Sequence, residues 1–161
     1  MVGDPNTFLL TWSGNLFGDT FPSTNGPSTA LLNDILTQLQ AQPLAPGEQL
    51  NLVGHSGGAI IGNNVANALT AKGIHVDNLI IMGTTLSPGT ISAPLPAGVP
   101  VTNFVGSYDW LSWALPAGPN VVNIPVLNSS NDFLTAHTGY TNNPFVISTI
   151  QHLIGPRPGG R

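Results

Sequence analysis

Residues 51 to 60, NLVGHSGGAI, join an apolar run to a turn of small residues and then to a helical pattern. A Gly-x-Ser-x-Gly turn between a strand and a helix holds its serine at a strained tip, where the hydroxyl is exposed at the edge of a sheet. Side chains two positions either side of Ser56 are expected to collide there, which accounts for Gly54 and Gly58. The helix that follows directs its free N–H groups toward the serine, and these favour negative charge. An ordinary turn of small residues is the alternative, but the flanking strand and helix favour a nucleophilic Ser56.

Composition narrows the classes of protein to which the chain can belong. Its 161 residues are enough for one domain, 1–161, with a sizeable core. Only 6% of residues are charged, the formal net charge is −4 and no basic patch occurs, so a nucleic-acid partner is not expected.

Cysteine is absent, which excludes disulfides and thiolate zinc sites. No apolar run is long enough for a membrane span, and the N-terminus lacks a signal-peptide pattern. Low charge with many neutral polar residues slightly favours an extracellular or excised domain over a cytosolic protein, and the compartment stays undetermined.

Outward from the turn, apolar runs alternate with helical patterns, which is typical of an α/β protein with a parallel sheet. Residues 28–39 carry an apolar stripe at helical spacing, with Ser28 in the position of an N-cap. Gly73 follows the helix after the turn and is expected to be its C′ residue. The run at 79–83 is continuously apolar, as in a strand buried on both faces. The predicted strands are 7–12, 49–53, 79–83, 100–106 and 121–127, and the predicted helices are 28–39, 57–72 and 144–154.

The motif Gly54-His55-Ser56-Gly57-Gly58, followed by an aspartate and a histidine in that order, resembles the lipases and esterases of the α/β-hydrolase superfamily. The resemblance extends from about Phe8 to Ile154. It implies a three-layer α/β fold with a mostly parallel sheet of about five strands. Strands that the family has before this chain's first strand, and between that strand and the turn, are absent, so the resemblance implies a reduced, minimal α/β-hydrolase fold. The loop at 84–100 has room for a simple connection and not for a helical lid.

Asp109 is the favoured acid of a catalytic triad. It follows a predicted strand, 53 residues after Ser56, at the sheet edge where sites of open parallel sheets gather. Its carboxylate would hold the imidazole tautomer and stabilise the imidazolium. Asp132 is the rival, because it also follows a strand-like run. A role for Asp109 in capping the next turn is the non-catalytic alternative.

His137 is the favoured general base, because the resemblance places that residue between the last strand and the last helix. It is expected on a loop, where it would take the Ser56 proton and return it to the leaving alcohol. Of the other three histidines, His55 lies within the turn, His75 is at the wrong end of a strand and His152 is inside a helix. The four are scattered without metal-ligand spacing, so neither a metal nor a cofactor is predicted.

The resemblance also implies an oxyanion hole and a substrate pocket. The backbone N–H groups of Asn15 and Gly57 are the expected oxyanion donors, since the negative charge of a tetrahedral intermediate needs two fixed donors. An ordinary turn at residues 13–15 is the alternative to this role for Asn15. His55 and Trp110 are the expected substrate-binding residues. Trp110 and Trp113 would line an acyl pocket or, alternatively, belong to the core.

The function that these features predict is a serine carboxylesterase acting on small esters of short- to medium-chain acids through an acyl-enzyme. A thioesterase, peptidase or acyltransferase with the same triad is the alternative, and a non-catalytic binding domain of the same fold is a lesser one. If the strands lie in sequential order, right-handed crossovers put the crossover helices on one face of the sheet. The other face then has only the last helix, so a second copy or a neighbouring domain is expected to cover it.

Overall fold

In the computed structural model, which describes residues 25–83, 94–127 and 130–155, four parallel strands form one sheet in the order β1-β2-β3-β4. The α/β class and the parallel sheet are therefore confirmed, while the first predicted strand, 7–12, lies outside the described residues. No helix in those ranges is long and apolar enough to cross a membrane. The strands are β1 (Asn51–His55), β2 (Asn78–Met82), β3 (Val101–Gly106) and β4 (Val121–Val126). The helices are α1 (Asn25–Ala41), α2 (Gly57–Ala71), α3 (Phe133–Thr138), a 3₁₀ turn (Gly139–Asn142) and α4 (Pro144–Ile154).

β2, one of the two inner strands of the described sheet, shows why the sheet takes this form. All five of its residues are buried, and its apolar side chains contact both layers, as a parallel strand covered on two faces requires. It pairs with β1 from Asn78 to Met82 and with β3 from Leu79 to Met82. The carboxyl ends of the strands therefore meet at one edge of the sheet. The turn that contains Ser56 begins at this edge.

Two separate apolar clusters lie on the two faces of the sheet. The first cluster packs α1 and α2 against alternate strand residues, and its fully buried members include Val65, Leu69 and Leu79. The second cluster packs α4 and the 3₁₀ turn against the opposite face, through Tyr140 and Val146. Burying each large apolar side chain contributes about 1.5–3 kcal/mol, so the two layers together fix the sheet between them.

The face under α4 is the less completely covered of the two. Val53 alternates with Leu52 along β1 and so faces this side, where it is 51% exposed. Phe145 on α4 is 52% exposed. The four described strands lie in the sequential order on which the covering prediction depends, and the position of the first predicted strand, 7–12, stays a prediction. The covering of this face by a second copy or a neighbouring domain stays a prediction.

Two helix assignments differ from the predictions. α1 begins at Asn25, so Ser28 lies inside the helix and is not its N-cap. His137 lies in the short helix α3 and not on a loop, because the side chain of Asp132 accepts a hydrogen bond from the Thr135 N–H and caps a helix there. The predicted end of α2 is confirmed: Gly73 has φ 75°, and its N–H donates to the Thr70 carbonyl.

Two asparagine side chains, those of the buried Asn103 and the half-buried Asn123, hold the segment between β3 and β4 in place. Asn123 accepts from the Leu115 N–H and donates to the Leu115 carbonyl, both at 2.9 Å, as a paired strand would. Asn103 donates to Asn123 Oδ1 at 2.8 Å and to the Trp113 carbonyl at 2.9 Å. These hydrogen bonds hold the backbone of Trp113 and Leu115, and with it the segment that follows β3. The segment carries Asp109 to the sheet edge.

Candidate active site

The turn after β1 holds Ser56 in a strained conformation. Ser56 has φ 55° and ψ −124°, and it is the one non-glycine residue of the described chain with a positive φ. A conformation of this kind costs on the order of 1–3 kcal/mol and persists only where the surroundings impose it. The Ser56 N–H donates to the Met82 carbonyl at 3.0 Å, so the neighbouring strand holds the turn. The hydroxyl is thereby fixed at the carboxyl edge of the sheet.

The two glycines of the motif have different roles. A side chain at residue 54 would press its Cβ against the Gly58 carbonyl oxygen, and would lie 2.7 Å from that carbonyl carbon and 2.9 Å from the Ala59 Cα. A Cβ on Gly58, in contrast, would have no described atom outside its own helix within 4 Å. The expectation that both glycines avoid a collision is right for Gly54 and wrong for Gly58. Gly58 contributes its backbone, which packs against the bare Cα of residue 54.

Replacing Gly54 with Ala should lower the free energy of unfolding by about 3 kcal/mol or more, because backbone atoms must move to make room. Gly58→Ala is the matched control: it adds the same methyl group at a helical position with free space, and alanine favours helix by up to about 1 kcal/mol. Urea unfolding of both variants measures the difference. Equal stability of the two variants would contradict the assignment of the close contact to residue 54.

A chain of hydrogen bonds joins Ser56, His137 and Asp109. His137 Nε2 lies 2.9 Å from Ser56 Oγ, and His137 Nδ1 lies 3.0 Å from each carboxylate oxygen of Asp109. Since an ionised carboxylate only accepts, Nδ1 carries the proton and Nε2 is free to accept from the serine hydroxyl. The side chains of His137 and Asp109 are both fully buried. The structure thus brings together the three residues that the sequence singled out, although they are separated by up to 81 positions.

Asp109 is held as a carboxylate by several donors. Burial alone raises its pKa, but the hydrogen bond and charge of His137, the Leu111 N–H and the Tyr140 hydroxyl together lower the pKa below its usual value. Tyr140 donates to Asp109 Oδ2 at 3.0 Å and accepts from the Gly106 N–H at 2.8 Å. Burial raises the pKa of Tyr140 to about 12, so its hydroxyl remains a donor at neutral pH. Tyr140 therefore connects the acid to the end of β3.

Tyr140→Phe should lower the free energy of unfolding at neutral pH by about 1–3 kcal/mol, because it leaves the Gly106 N–H without an acceptor and removes a donor to Asp109. Because the pKa of Asp109 is lower in the folded than in the unfolded protein, its ionisation stabilises the folded state at pH values above the unfolded pKa. This stabilisation is lost as the pH falls through the folded-state pKa. Tyr140→Phe raises the folded-state pKa of Asp109, so the difference in free energy of unfolding between the variant and the wild type should shrink in acid. Urea unfolding at several pH values measures this, with Tyr108→Phe, at a 45% exposed residue, as the control. A deficit independent of pH would contradict the role of the hydroxyl at Asp109.

Gly83 leaves the space in which these side chains meet. It follows β2 with φ 56°, and a Cβ built on it would lie 3.1 Å from Asp109 Oδ2, 3.1 Å from His55 Nε2 and 3.2 Å from His137 Cε1. Both the positive φ and the contacts favour glycine. The residue was identified from the sequence only as the end of a strand. Its role depends on contacts with residues distant in sequence.

Comparison with known proteins gives the context for this geometry. No protein-family model matches the sequence, and neither does any curated protein sequence. Solved structures do match, among them a fungal esterase from Rhizomucor miehei, with a TM-score of 0.50 and 16% identity over 84% of this chain. Mouse alpha/beta hydrolase domain-containing protein 10 matches with a TM-score of 0.44 and 19% identity, over 79% of this chain and 69% of that protein. The chain has the α/β-hydrolase fold. It spans 59% of the length of the fungal esterase, and likeness at this level of identity shows the fold alone.

Within the α/β-hydrolase fold, the other candidate residues take varied positions. Asn15 lies outside the described residues. Gly57 is the first residue of α2, where a backbone N–H has no acceptor within the helix. Trp110 is 77% exposed and stacks on Phe133 at 5.3 Å, and Phe133 stacks on His137 at 5.7 Å. Its contact with a substrate stays a prediction.

His55 has a neighbour that the sequence did not indicate. Its Nε2 lies 2.6 Å from the carbonyl oxygen of His137, and its ring centroid lies 4.9 Å from that of His137. This nitrogen is thereby engaged within the protein, and substrate contact by His55 stays a prediction. Burial lowers the pKa of His55, only partly offset by the hydrogen bond to the His137 backbone, so the ring is neutral at neutral pH.

The remaining acidic and histidine side chains lie elsewhere. Asp132 caps α3, and its carboxylate accepts from the Thr135 N–H at 2.8 Å. His75 is 78% exposed and lies 3.6 Å from Asp77, and His152 is exposed on α4. In the described ranges, no cluster of three or more His, Asp or Glu residues could hold a metal ion.

Proposed function

We propose that this α/β-hydrolase domain is a serine carboxylesterase that hydrolyses small esters through an acyl-enzyme. The observation that carries the proposal is the continuous set of contacts from Ser56 Oγ through His137 to Asp109, with bonds of 2.9 and 3.0 Å. An activated nucleophile is recognised by such a base within hydrogen-bond reach, itself oriented by a third group. The likeness of the fold to a fungal esterase supports the same reading.

In the first half of the reaction, Ser56 Oγ attacks the acyl carbon of the ester while His137 Nε2 takes the hydroxyl proton. A C–O bond forms, and the carbonyl oxygen becomes an oxyanion. The Gly57 N–H is one proposed donor to this oxyanion, and the Asn15 N–H is the proposed second. When the oxyanion collapses, the bond to the alcohol breaks and His137 gives its proton to the departing oxygen. The acyl group is then bound to Ser56.

In the second half, water replaces the alcohol. His137 accepts a proton from water, whose oxygen attacks the acyl carbon, and the second oxyanion collapses to release the carboxylic acid. The proton on His137 returns to Ser56 Oγ. Throughout both halves Asp109 stays ionised, so that it stabilises the imidazolium without taking its proton. The buried position of Asp109 and His137 strengthens this pairing, since water screens it little.

Aromatic side chains near the base support a small, partly apolar substrate. Trp110 and Phe133 offer apolar surface beside His137, which suits a short or medium acyl chain or a small apolar alcohol. A thioesterase, peptidase or acyltransferase would use the same three residues. These enzymes differ from an esterase in the leaving group or the acceptor of the acyl group. A comparison of ester with thioester substrates therefore tests the proposal of an ester.

Two measurements test the proposal. Incubation with a fluorophosphonate probe should increase the intact mass of the chain by one adduct, and the adduct should map to the peptide containing Ser56. A panel of p-nitrophenyl esters of increasing acyl length, with the matching thioesters, should show the highest kcat/KM for short to medium esters. A chain that neither labels nor turns over any ester would contradict a catalytic function. A strong preference for thioesters would instead identify a thioesterase.

A further inference from the structure

The residue immediately before the nucleophile contacts the residue that carries the base. His55 Nε2 lies 2.6 Å from the His137 carbonyl oxygen, while His137 Nε2 lies 2.9 Å from Ser56 Oγ. A carbonyl oxygen only accepts, so His55 Nε2 carries the hydrogen in this contact. Two adjacent residues of the nucleophile turn are therefore joined to one residue of α3, one through its backbone and one through its side chain.

The position of His137 in its helix explains why this contact matters. His137 is the fifth of the six residues of α3, and the chain passes directly from α3 into the 3₁₀ turn that begins at Gly139. The backbone carbonyls in the last turn of a helix commonly take a donor from outside the helix. The His137 carbonyl is one of these, and it is fully buried with its residue. A buried carbonyl oxygen needs a hydrogen-bond donor. His55 supplies that donor, and it does so from the turn whose distance to α3 sets the separation of Ser56 and His137.

We infer that His55 is a positioning residue, which fixes α3 against the nucleophile turn and so holds His137 Nε2 within hydrogen-bond distance of Ser56 Oγ. The inference rests on the proposed serine-hydrolase function. In this role His55 binds the backbone of His137 and does not bind the substrate. Gly83 is part of the same arrangement, because its missing side chain leaves room for His55 Nε2.

The groups around His55 suit a neutral donor. The titratable side chains facing it are His137, Asp109 and Tyr140, of which Asp109 is the one carboxylate in the described part of this site. Because His55 is neutral at neutral pH, it adds no positive charge beside the imidazole that must accept a proton. A glutamine reproduces the Nε2 donor without the ring, whereas a phenylalanine keeps the ring shape without the donor.

The decisive comparison is between His55→Phe and His55→Gln. Loss of positioning should lower kcat for the best ester by about 10- to 100-fold in His55→Phe, with KM changed less than about threefold, because a displacement of 1 Å is enough for such a loss. His55→Gln should recover most of the wild-type kcat. A rise in KM without a fall in kcat would assign His55 to substrate binding and overturn the inference. Equal kcat in all three chains would overturn it too.

A second readout needs no turnover. Imidazole ¹⁵N and ¹H NMR of the Ser56→Ala chain should show a slowly exchanging His55 Nε2–H and a sharp His137 Nδ1–H. The Nδ1–H resonance should broaden on adding His55→Phe and stay sharp on adding His55→Gln. An unchanged resonance in the Phe chain would overturn the inference, even if the wild type proved inactive. Wild-type inactivity with the expected spectra would contradict only the proposed function.

Discussion

Ser56→Ala should lower kcat for ester hydrolysis on the order of 10⁶-fold, the loss seen when the nucleophile of a serine hydrolase is removed. The oxygen that forms the acyl bond is missing, and His137 then has no hydroxyl to deprotonate. Binding and oxyanion stabilisation survive, so a residual rate of about 10³–10⁴-fold over water is expected. Initial rates with the best p-nitrophenyl ester and labelling by the fluorophosphonate probe measure the effect.

The matched control is a second substitution at Ser56, chosen because the backbone of this residue is strained. Ser56→Gly removes the hydroxyl as Ser56→Ala does, but glycine adopts φ 55° without steric cost. Both variants should be inactive, and the glycine variant should be more stable than the alanine variant by about 1 kcal/mol. Retained activity in either variant would show that another residue is the nucleophile. Equal stability would show that the turn imposes no strain.

Asp109→Asn is expected to have the second-largest effect, a fall in kcat of about 10⁴-fold. An asparagine can donate to His137 Nδ1, which favours the tautomer with its proton on Nε2 and leaves no acceptor for the Ser56 hydroxyl. Loss of the negative charge also leaves the imidazolium unstabilised. The rate with the same ester, measured at enzyme concentrations high enough to detect slow turnover, tests this expectation.

Asp132→Asn is the control for that change. Asp132 is an exposed N-cap, and asparagine caps a helix about as well as aspartate, so both stability and kcat should stay close to wild type. If the Asp132 change removed activity and the Asp109 change did not, the assignment of the acid would be wrong. Urea unfolding of both variants separates weakened catalysis from loss of the folded site.

Much of the fold could be predicted because the signals are local. Residues 79–82 of β2 are a continuous apolar run, Gly73 closely follows the end of its helix, and the Gly-x-Ser-x-Gly pattern specifies a turn within five residues. The order of Ser56, Asp109 and His137 also placed the candidate site, since parallel strands bring their carboxyl ends to one edge. These inferences needed only spacing and residue type.

What escaped prediction depends on contacts between distant segments. Nothing within the sequence around Tyr140 indicates that its hydroxyl meets Asp109, 31 residues away. From the sequence, Gly83 is only the end of a strand and His55 is a candidate pocket residue. Their positions beside His137 are fixed only when the neighbouring strands are in place. The motif predicts the same role for Gly54 and Gly58, but once α2 forms only position 54 lies against neighbouring backbone atoms. A signal was present for α3, where Asp132 precedes the helix by one residue and caps it.

The strand order has a consequence for how the protein matures. Ser56 follows β1, Gly83 follows β2, Asp109 follows β3 and His137 follows β4, so each successive strand delivers one component of the site. During synthesis, Ser56 therefore has no contact with His137 until the segment that follows β4 has docked. Partly synthesised or cleaved chains should therefore be inert toward acylating compounds. Acylation kinetics would then serve as a sensitive monitor of late events in assembly, beyond what circular dichroism resolves.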